Sequence, residues 1–381
     1  MKLPVYLDYN ATTPVDERVL AEMLPWFTQN FGNAASRSHL YGWQAEEAVS
    51  IARMQVAKLL GASEKDIVFT SGATESNNLA IKGVFEALGK EKNHIITIAT
   101  EHKAILDVCT HLEQFGARIT VLLPDSDGLI TTEQITDAIE ADTLLVSAMY
   151  ANNETGVIFP IEEIAKICRE RNIFFHTDAT QAVGKLPINL RNTPIDLLSL
   201  SAHKLYGAKG IGALYVNRNN PKLQVIAQMD GGKHERGMRS GTLNVPGIVS
   251  LGKACDLARL EMKNNQEKLS FLRYKLEQSI LSKLENTSVN GGNAPRLAHV
   301  TNIAFGGVDG EMLLGNLKNI AVSSGSACTS ASVLPSHVLK AMGINDDLAY
   351  SSIRFSLGKY TTEEEIDFAI NHVVEVIEKM R

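Results

Sequence analysis

Cysteine is scarce in this chain. Four occur among 381 residues (Cys109, Cys168, Cys255 and Cys328), and they lie far apart. A disulfide framework is excluded, and with no CxxC pair and no HExxH run the familiar zinc spacings are missing too. Reduced thiols and no dedicated metal site are expected. Positive charge is also in deficit, with a formal net charge of -6 and a pI near 6.0. No general basic field exists to collect nucleic acid or anionic lipid. No apolar run reaches the length of a membrane span, and Met1 to Pro14 carries acids and turn residues where a targeting segment would show a basic start and an apolar block. The expectation is a cytoplasmic protein with no direct nucleic-acid partner and no membrane contact.

What is present is an ordinary globular composition, 44% hydrophobic and 21% charged, in a chain long enough for about two domains. Short apolar runs rich in β-branched residues predict strands near 67–69, 94–99, 119–123, 144–149, 173–177, 197–199 and 212–216. Between them, apolar residues at helical spacing predict helices over 45–60, 103–115 and 160–171. Such alternation implies an α/β domain built on a mostly parallel sheet covered by helices. Beyond residue 247 the pattern changes to a long helix through about 282, strands near 300–305 and 352–356, and a closing helix from 362. That is a second, smaller α+β unit. Residues 323–332 are almost all small or hydroxyl-bearing, which predicts a mobile segment.

Four places carry chemistry. Ser201-Ala202-His203-Lys204 follows an apolar strand and precedes a glycine-rich stretch. Lys204 is either a solvated loop lysine or an amine that condenses with an aldehyde cofactor, Ser201 and His203 adding phosphate donors. Asp178 ends the apolar strand Phe174-Phe175-His176-Thr177, where open α/β sheets place ligands. It either caps the next turn or partners a pyridinium nitrogen. Thr70 to Glu75 joins a strand to a helix around Gly72, and either a side chain caps that helix or its amides face a phosphate. Cys328 lies in Ser324-Gly325-Ser326-Ala327-Cys328-Thr329-Ser330. The other three cysteines fall on apolar helical stripes, whereas the neighbours of Cys328 are too small and polar to bury it, which favours a reactive thiol.

Taken together, Tyr6 to Pro14, Ser71 to Asn78, Thr100-Glu101-His102-Lys103, Asp178 to Gln181, Ser324 to Ala331 and Ser352 to Gly358 resemble the cysteine desulfurases of the iron-sulfur-cluster housekeeping type. These belong to the class V aminotransferase superfamily of pyridoxal-phosphate (PLP) fold type I. The resemblance implies a large PLP-binding α/β domain over residues 16–249, and a small α+β domain over 1–15 and 250–381 that carries the cysteine loop. It implies Lys204 as the Schiff-base lysine and Asp178 at the ring nitrogen. Gln181 falls at the ring hydroxyl, and His102 stacks on the ring. Ala73, Thr74, Ser201, Ala202 and His203 hold the phosphate end. Asn153 lines cofactor and substrate, Arg354 clamps the substrate carboxylate, and Thr242 reaches the phosphate of the other subunit in a homodimer.

The implied activity converts L-cysteine to L-alanine. Lys204 moves a proton from Cα, and the Cys328 thiolate, with His102 the candidate base, takes the sulfur as a persulfide. Acceptors would be proteins such as an iron-sulfur scaffold or a tRNA-thiolation partner, and Cys328 is a possible transient cluster ligand. Selenocysteine lyase or plain class V transamination on the same scaffold is the rival enzyme reading, and a non-catalytic assembly subunit the rival from another class. Relatives often have glycine at Ala202 and proline at Ala208 and Ala34. Many also carry a C-terminal extension that docks a scaffold, whereas this sequence stops at Arg381, so docking by that route is not expected.

Overall fold

The computed structural model describes residues 2–324 and 335–381. A short strand, β1 (Val5–Tyr6), precedes the seven strands of the main sheet. These are β2 (Ile67–Thr70), β3 (His94–Ile98), β4 (Arg118–Leu122), β5 (Thr143–Ser147), β6 (Phe174–Asp178), β7 (Leu197–Ser201) and β8 (Gly212–Val216). Their spatial order is β2-β8-β7-β6-β5-β3-β4. β8 runs antiparallel to β2 and β7, and the other pairs are parallel. The sheet is therefore mixed but mostly parallel, as the alternation of runs predicts. β8 coincides with its expected span and the other strands differ from theirs by one or two residues at one or both ends, because an apolar run marks burial and only approximately marks pairing.

Successive side chains on a strand point to opposite faces, and both faces here are apolar. Ile96, Val146 and Leu198 pack with the helices Leu40–Leu60 and Ile161–Glu170. Their neighbours Ile95, Leu145 and Leu197 pack with Ala73–Leu88 and Lys103–Glu113 on the other side. Burial on both faces is why these strands read as continuous apolar runs. Helix Leu40–Leu60 ends at Gly61, whose φ of 63° is left-handed, a conformation glycine adopts without a Cβ clash.

The helix Val245–Lys283 spans 39 residues. Val245 to Leu257 packs in the first of these clusters, while Leu269 to Ile280 packs in a separate one with Val5, Leu7 and the C-terminal helix Glu363–Met380. That second core covers an antiparallel sheet of β9 (Thr287–Val289), β10 (Val300–Phe305) and, after β11 (Ile320–Ala321), β12 (Ser352–Ser356), ordered β12-β10-β9. β1 pairs with β11 in parallel. Among the described residues no helix is long and apolar enough to cross a membrane.

Register brings the site together. Thr70, Gly212 and Ser201 lie abreast across β2, β8 and β7, and Asp178 pairs with Ser199 on β7. A Cβ at Gly212 would stand 2.6 Å from Cα of Gly72 and 2.5 Å from the Leu200 carbonyl. Only glycine there lets the turn after β2 settle against β7 and β8.

Candidate active site

At this end of the sheet lies a cleft of about 560 Å³, lined by Ala73, Thr74, His102, Asn153, Asp178, Gln181, Ser201, His203, Lys204 and Arg354. Residues from the whole length of the sequence thus converge. Helix Ala73–Leu88 starts at Gly72 without a side-chain cap, so the bland alternative of a capped helix does not hold. Its first amides remain open to an anion, which the helix dipole also favours. Glu75 does not cancel that field, because its carboxylate accepts from the Ser71 amide at 2.7 Å and pairs with Arg239 at 2.9 Å.

Asp178 is almost buried, and both oxygens are oriented. Asn77 Nδ2 donates to Oδ2 at 2.8 Å, and the Thr180 amide donates to Oδ1 at 2.9 Å. Asn77 and Thr180 line the cleft themselves. The side-chain oxygens of both, Oδ1 and Oγ1, are buried with no partner among the described residues, and such orphans are uncommon unless a bound group completes them. Orphaned polar atoms flanking an oriented carboxylate, with open helix amides and a lysine nearby, fit pyridoxal phosphate.

Lys204 sits in the turn Ala202–Lys204 that follows β7. Its Nζ donates to the carbonyls of Asn10 at 2.5 Å and Ala11 at 2.6 Å, so it faces the cleft and is not a solvated loop residue. His203 pairs through Nδ1 with Thr12 Oγ1 at 3.2 Å. Burial pushes its pKa down to about 4, with Lys204 and Lys209 adding to the effect, so it meets a phosphate as a neutral donor. Ala202 does not join these residues. Its side chain is fully buried in the core, its amide donates to Ile211 at 3.1 Å, and its carbonyl accepts from Leu205 and Gly207. Thr242 is exposed and outside this chain's cleft.

His102 caps helix Lys103–Glu113, its Nδ1 accepting from the Ala104 amide at 3.1 Å. Burial lowers its pKa, and Lys204 and His337 reinforce this against the charge of Asp178. A neutral ring whose Nδ1 is an acceptor carries its proton on Nε2. In this arrangement Nδ1 is engaged at the helix start and Nε2 carries the proton. Its neighbour Glu101 is fully buried and accepts from the Met149 amide. Burial, then the charge of Asp178, raises its pKa well above the ordinary carboxylate value.

Arg354 enters from β12. Nη2 pairs with Asp8 at 2.6 Å and Nη1 donates to the Asn153 carbonyl at 3.1 Å, leaving Nε buried with no partner among the described residues. A carboxylate arriving here shares the guanidinium with Asp8. Asp8, Asn10, Asn77 and Thr180 received no role from sequence. All four lie within the motifs quoted above, but nothing in a linear pattern shows that Asn10 meets Lys204.

Cys328 lies outside the described residues. Those flanking it are anchored at the cleft. Ser323 exchanges backbone hydrogen bonds with Arg354 at 3.3 and 2.7 Å, Ser336 donates its hydroxyl to the Glu154 carboxylate, and His337 Nε2 meets the Glu101 carbonyl at 2.9 Å. The other three thiols are buried, which raises their pKa: about 12 for Cys109 and Cys168, and higher for Cys255. None of these three can serve as a thiolate nucleophile.

Comparison with known proteins matches the family model for class-V aminotransferases over residues 5–368. The chain belongs to the class-V aminotransferase family. Within it, the chain is 57% identical over 383 residues to a protein named cysteine desulfurase IscS from Histophilus somni (strain 129Pt), and 55% identical over 381 residues to one of the same name from Anaeromyxobacter sp. (strain Fw109-5). Each match covers 100% of this chain and 94% of the relative. Among solved structures, a NifS-like protein superposes with a TM-score of 0.91 at 37% identity, covering 98% of this chain and 99% of that one. SspA in complex with cysteine gives 0.83 at 39% identity, covering 94% and 100%. The class-V fold is PLP fold type I, so the expected architecture holds.

Proposed function

We propose that this class-V enzyme is a PLP-dependent cysteine desulfurase that converts L-cysteine to L-alanine and holds the sulfur on Cys328 as a persulfide. One observation carries the reading: Lys204 and Asp178 face a single cleft, and the Cys328 segment is flanked by Ser323, bonded to Arg354 in that cleft's wall, and by Ser336 and His337, bonded to Glu154 and Glu101, the chain neighbours of the wall residues Asn153 and His102. Close curated relatives bear the same activity in their name.

In the holoenzyme, the amides of Ala73 and Thr74 with Ser201 and His203 would hold the phosphate, and Asp178 would keep the ring nitrogen protonated. When bound, pyridoxal phosphate supplies an electron sink that lets Cα of the substrate lose a proton and loosens the C–S bond. Arg354 binds the substrate carboxylate as a planar fork, with Asn153 beside it. The Lys204 amine takes the Cα proton. The Cys328 thiolate then attacks the substrate sulfur, an S–S bond forms as the C–S bond breaks, and the electron pair left on carbon is protonated on the way to alanine.

Thr242, exposed and outside this chain's own cleft, and the exposed apolar side chains Leu24, Phe27, Leu40, Tyr41 and Trp43 support a homodimer in which Thr242 serves the partner's phosphate site. The persulfide is passed in the cytoplasm to sulfur-acceptor proteins, an iron-sulfur scaffold or a tRNA-thiolation protein among them. Purified protein mixed with L-cysteine should release alanine and gain enzyme-bound sulfane sulfur in equal amounts during the first turnover. Alanine without bound sulfur, or pyruvate in place of alanine, would contradict the proposal.

A further inference from the structure

Behind the cleft is a charged side chain that the reaction above does not use. Lys185 follows the turn after β6 and is half-buried. It lines a cavity of about 50 Å³ together with Lys204, Tyr9, Tyr206, His299 and Lys359. Among the described residues no carboxylate lines that cavity, while Asp16 and Glu261 line an adjoining one that Lys185 also reaches. Burial brings the Lys185 amine down to about 7, with the charges of Lys204 and Arg354 pushing the same way. His299 is depressed similarly, by burial first and then by Lys185, Arg273 and Arg354. A lysine kept in such surroundings has a local task.

Its task is visible in one chain of hydrogen bonds. Lys185 Nζ donates to Gln181 Oε1 at 2.8 Å, Gln181 Nε2 donates to the Asn10 carbonyl at 3.1 Å, and the same carbonyl accepts from Lys204 Nζ at 2.5 Å. A primary amide can turn over and exchange its oxygen for its NH2 group at little cost, and only its partners decide which way it points. When protonated, Lys185 offers donors alone. Donating to Oε1, it reinforces the orientation that the Asn10 carbonyl, which can only accept, also selects, with the NH2 group toward Asn10 and the cleft. That group has two N–H bonds, one spent on Asn10 and one remaining.

We propose that Lys185 is a positioning residue that fixes the Gln181 amide with its NH2 group toward the cleft, so that a donor is preset for a ring oxygen of pyridoxal phosphate. The inference rests on the proposed cofactor site. Without Lys185 the Asn10 carbonyl alone holds that orientation, and the fraction of molecules with the amide turned presents an oxygen to the ring oxygen, which repels.

The test titrates apoprotein with pyridoxal 5'-phosphate, reading affinity and the absorption maximum of the bound cofactor. Lys185→Met should weaken binding about tenfold, the loss of roughly one hydrogen bond to a charged acceptor, and move the absorption maximum. Lys185→Arg, which keeps a donor-only head group, should restore most of both. In a Gln181→Ala background, Lys185→Met should have almost no further effect, since the two residues act as one unit. Wild-type affinity and spectrum in Lys185→Met would overturn the proposal, as would a full additional loss in the Gln181→Ala background. If Lys185→Met does not fold, Lys185→Arg binding as weakly as Gln181→Ala overturns it equally. A wild-type chain that takes up no cofactor would instead refute the proposed function.

Discussion

Asn77 donates through Nδ2 to Asp178 Oδ2 at 2.8 Å, joining the first helix after β2 to the end of β6 across 101 positions of sequence. The pair orients the carboxylate toward the cleft before any cofactor arrives. Replacing Asn77 by leucine removes a hydrogen bond to a charged group, worth about 1.5 to 3 kcal/mol. The expected result is a ten- to hundredfold weaker affinity for pyridoxal phosphate, measured by absorbance titration of apoprotein, together with a lower melting temperature of the apoprotein, because the bond is present before the cofactor binds.

Arg354 offers a planar fork that Asp8 and Asn153 already hold in place. Lysine keeps the charge but loses the two-point geometry. Arg354→Lys should raise KM for L-cysteine by about ten- to a hundredfold while the absorption of the bound cofactor stays as in the wild type. Initial rates over a range of cysteine concentrations separate the two.

A buried ion pair lies away from the cleft. Arg53 binds both oxygens of Glu235 at 2.7 Å each, and Glu235 also accepts from the Phe69 amide at 2.8 Å, tying the helix Leu40–Leu60 to β2. Arg53→Met leaves a buried carboxylate without its cation, which costs about 3 to 5 kcal/mol. Denaturant unfolding of the apoprotein should show a correspondingly lower midpoint with an unchanged slope.

Stability should depend on pH in a definite direction. His176 is fully buried between Ser147 and Ser199, with Nδ1 and Nε2 meeting their hydroxyls at 2.9 and 3.1 Å. Burial lowers its pKa to about 4, against the charge of Asp178; His203 is lowered to a similar value. Between that value and the ordinary histidine value near 6.5 the unfolded chain binds more protons than the folded one. Stability therefore falls as pH drops from about 6.5 toward 4. Thermal melts of His176→Asn across this window should show a shallower fall than the wild type.

Much of this was legible in the sequence. Both-face burial produces the apolar runs that mark β2, β3 and β5 through β8, and Asp178 and Lys204 stand out because each ends such a run. Cys109, Cys168 and Cys255 were legible as core residues because each sits on an apolar helical stripe. The links that complete the site were not. Lys204 meets Asn10 across 194 positions, and Arg354 meets Asp8 across 346. Pairings of that separation are set by how the chain's start passes between the two cores, which no local pattern encodes. Nor does any local pattern show that His102 spends Nδ1 on the start of its own helix.

The central claim, that the sulfur of L-cysteine is carried on Cys328, is tested most directly by peptide mass spectrometry after one turnover with L-cysteine and alkylation. The account predicts one added sulfur atom on the peptide containing Cys328 and none on those containing Cys109, Cys168 or Cys255. In Cys328→Ala the bound-cofactor absorption should remain while the added sulfur disappears. Sulfur found on another cysteine, or unchanged persulfide formation in Cys328→Ala, would contradict it.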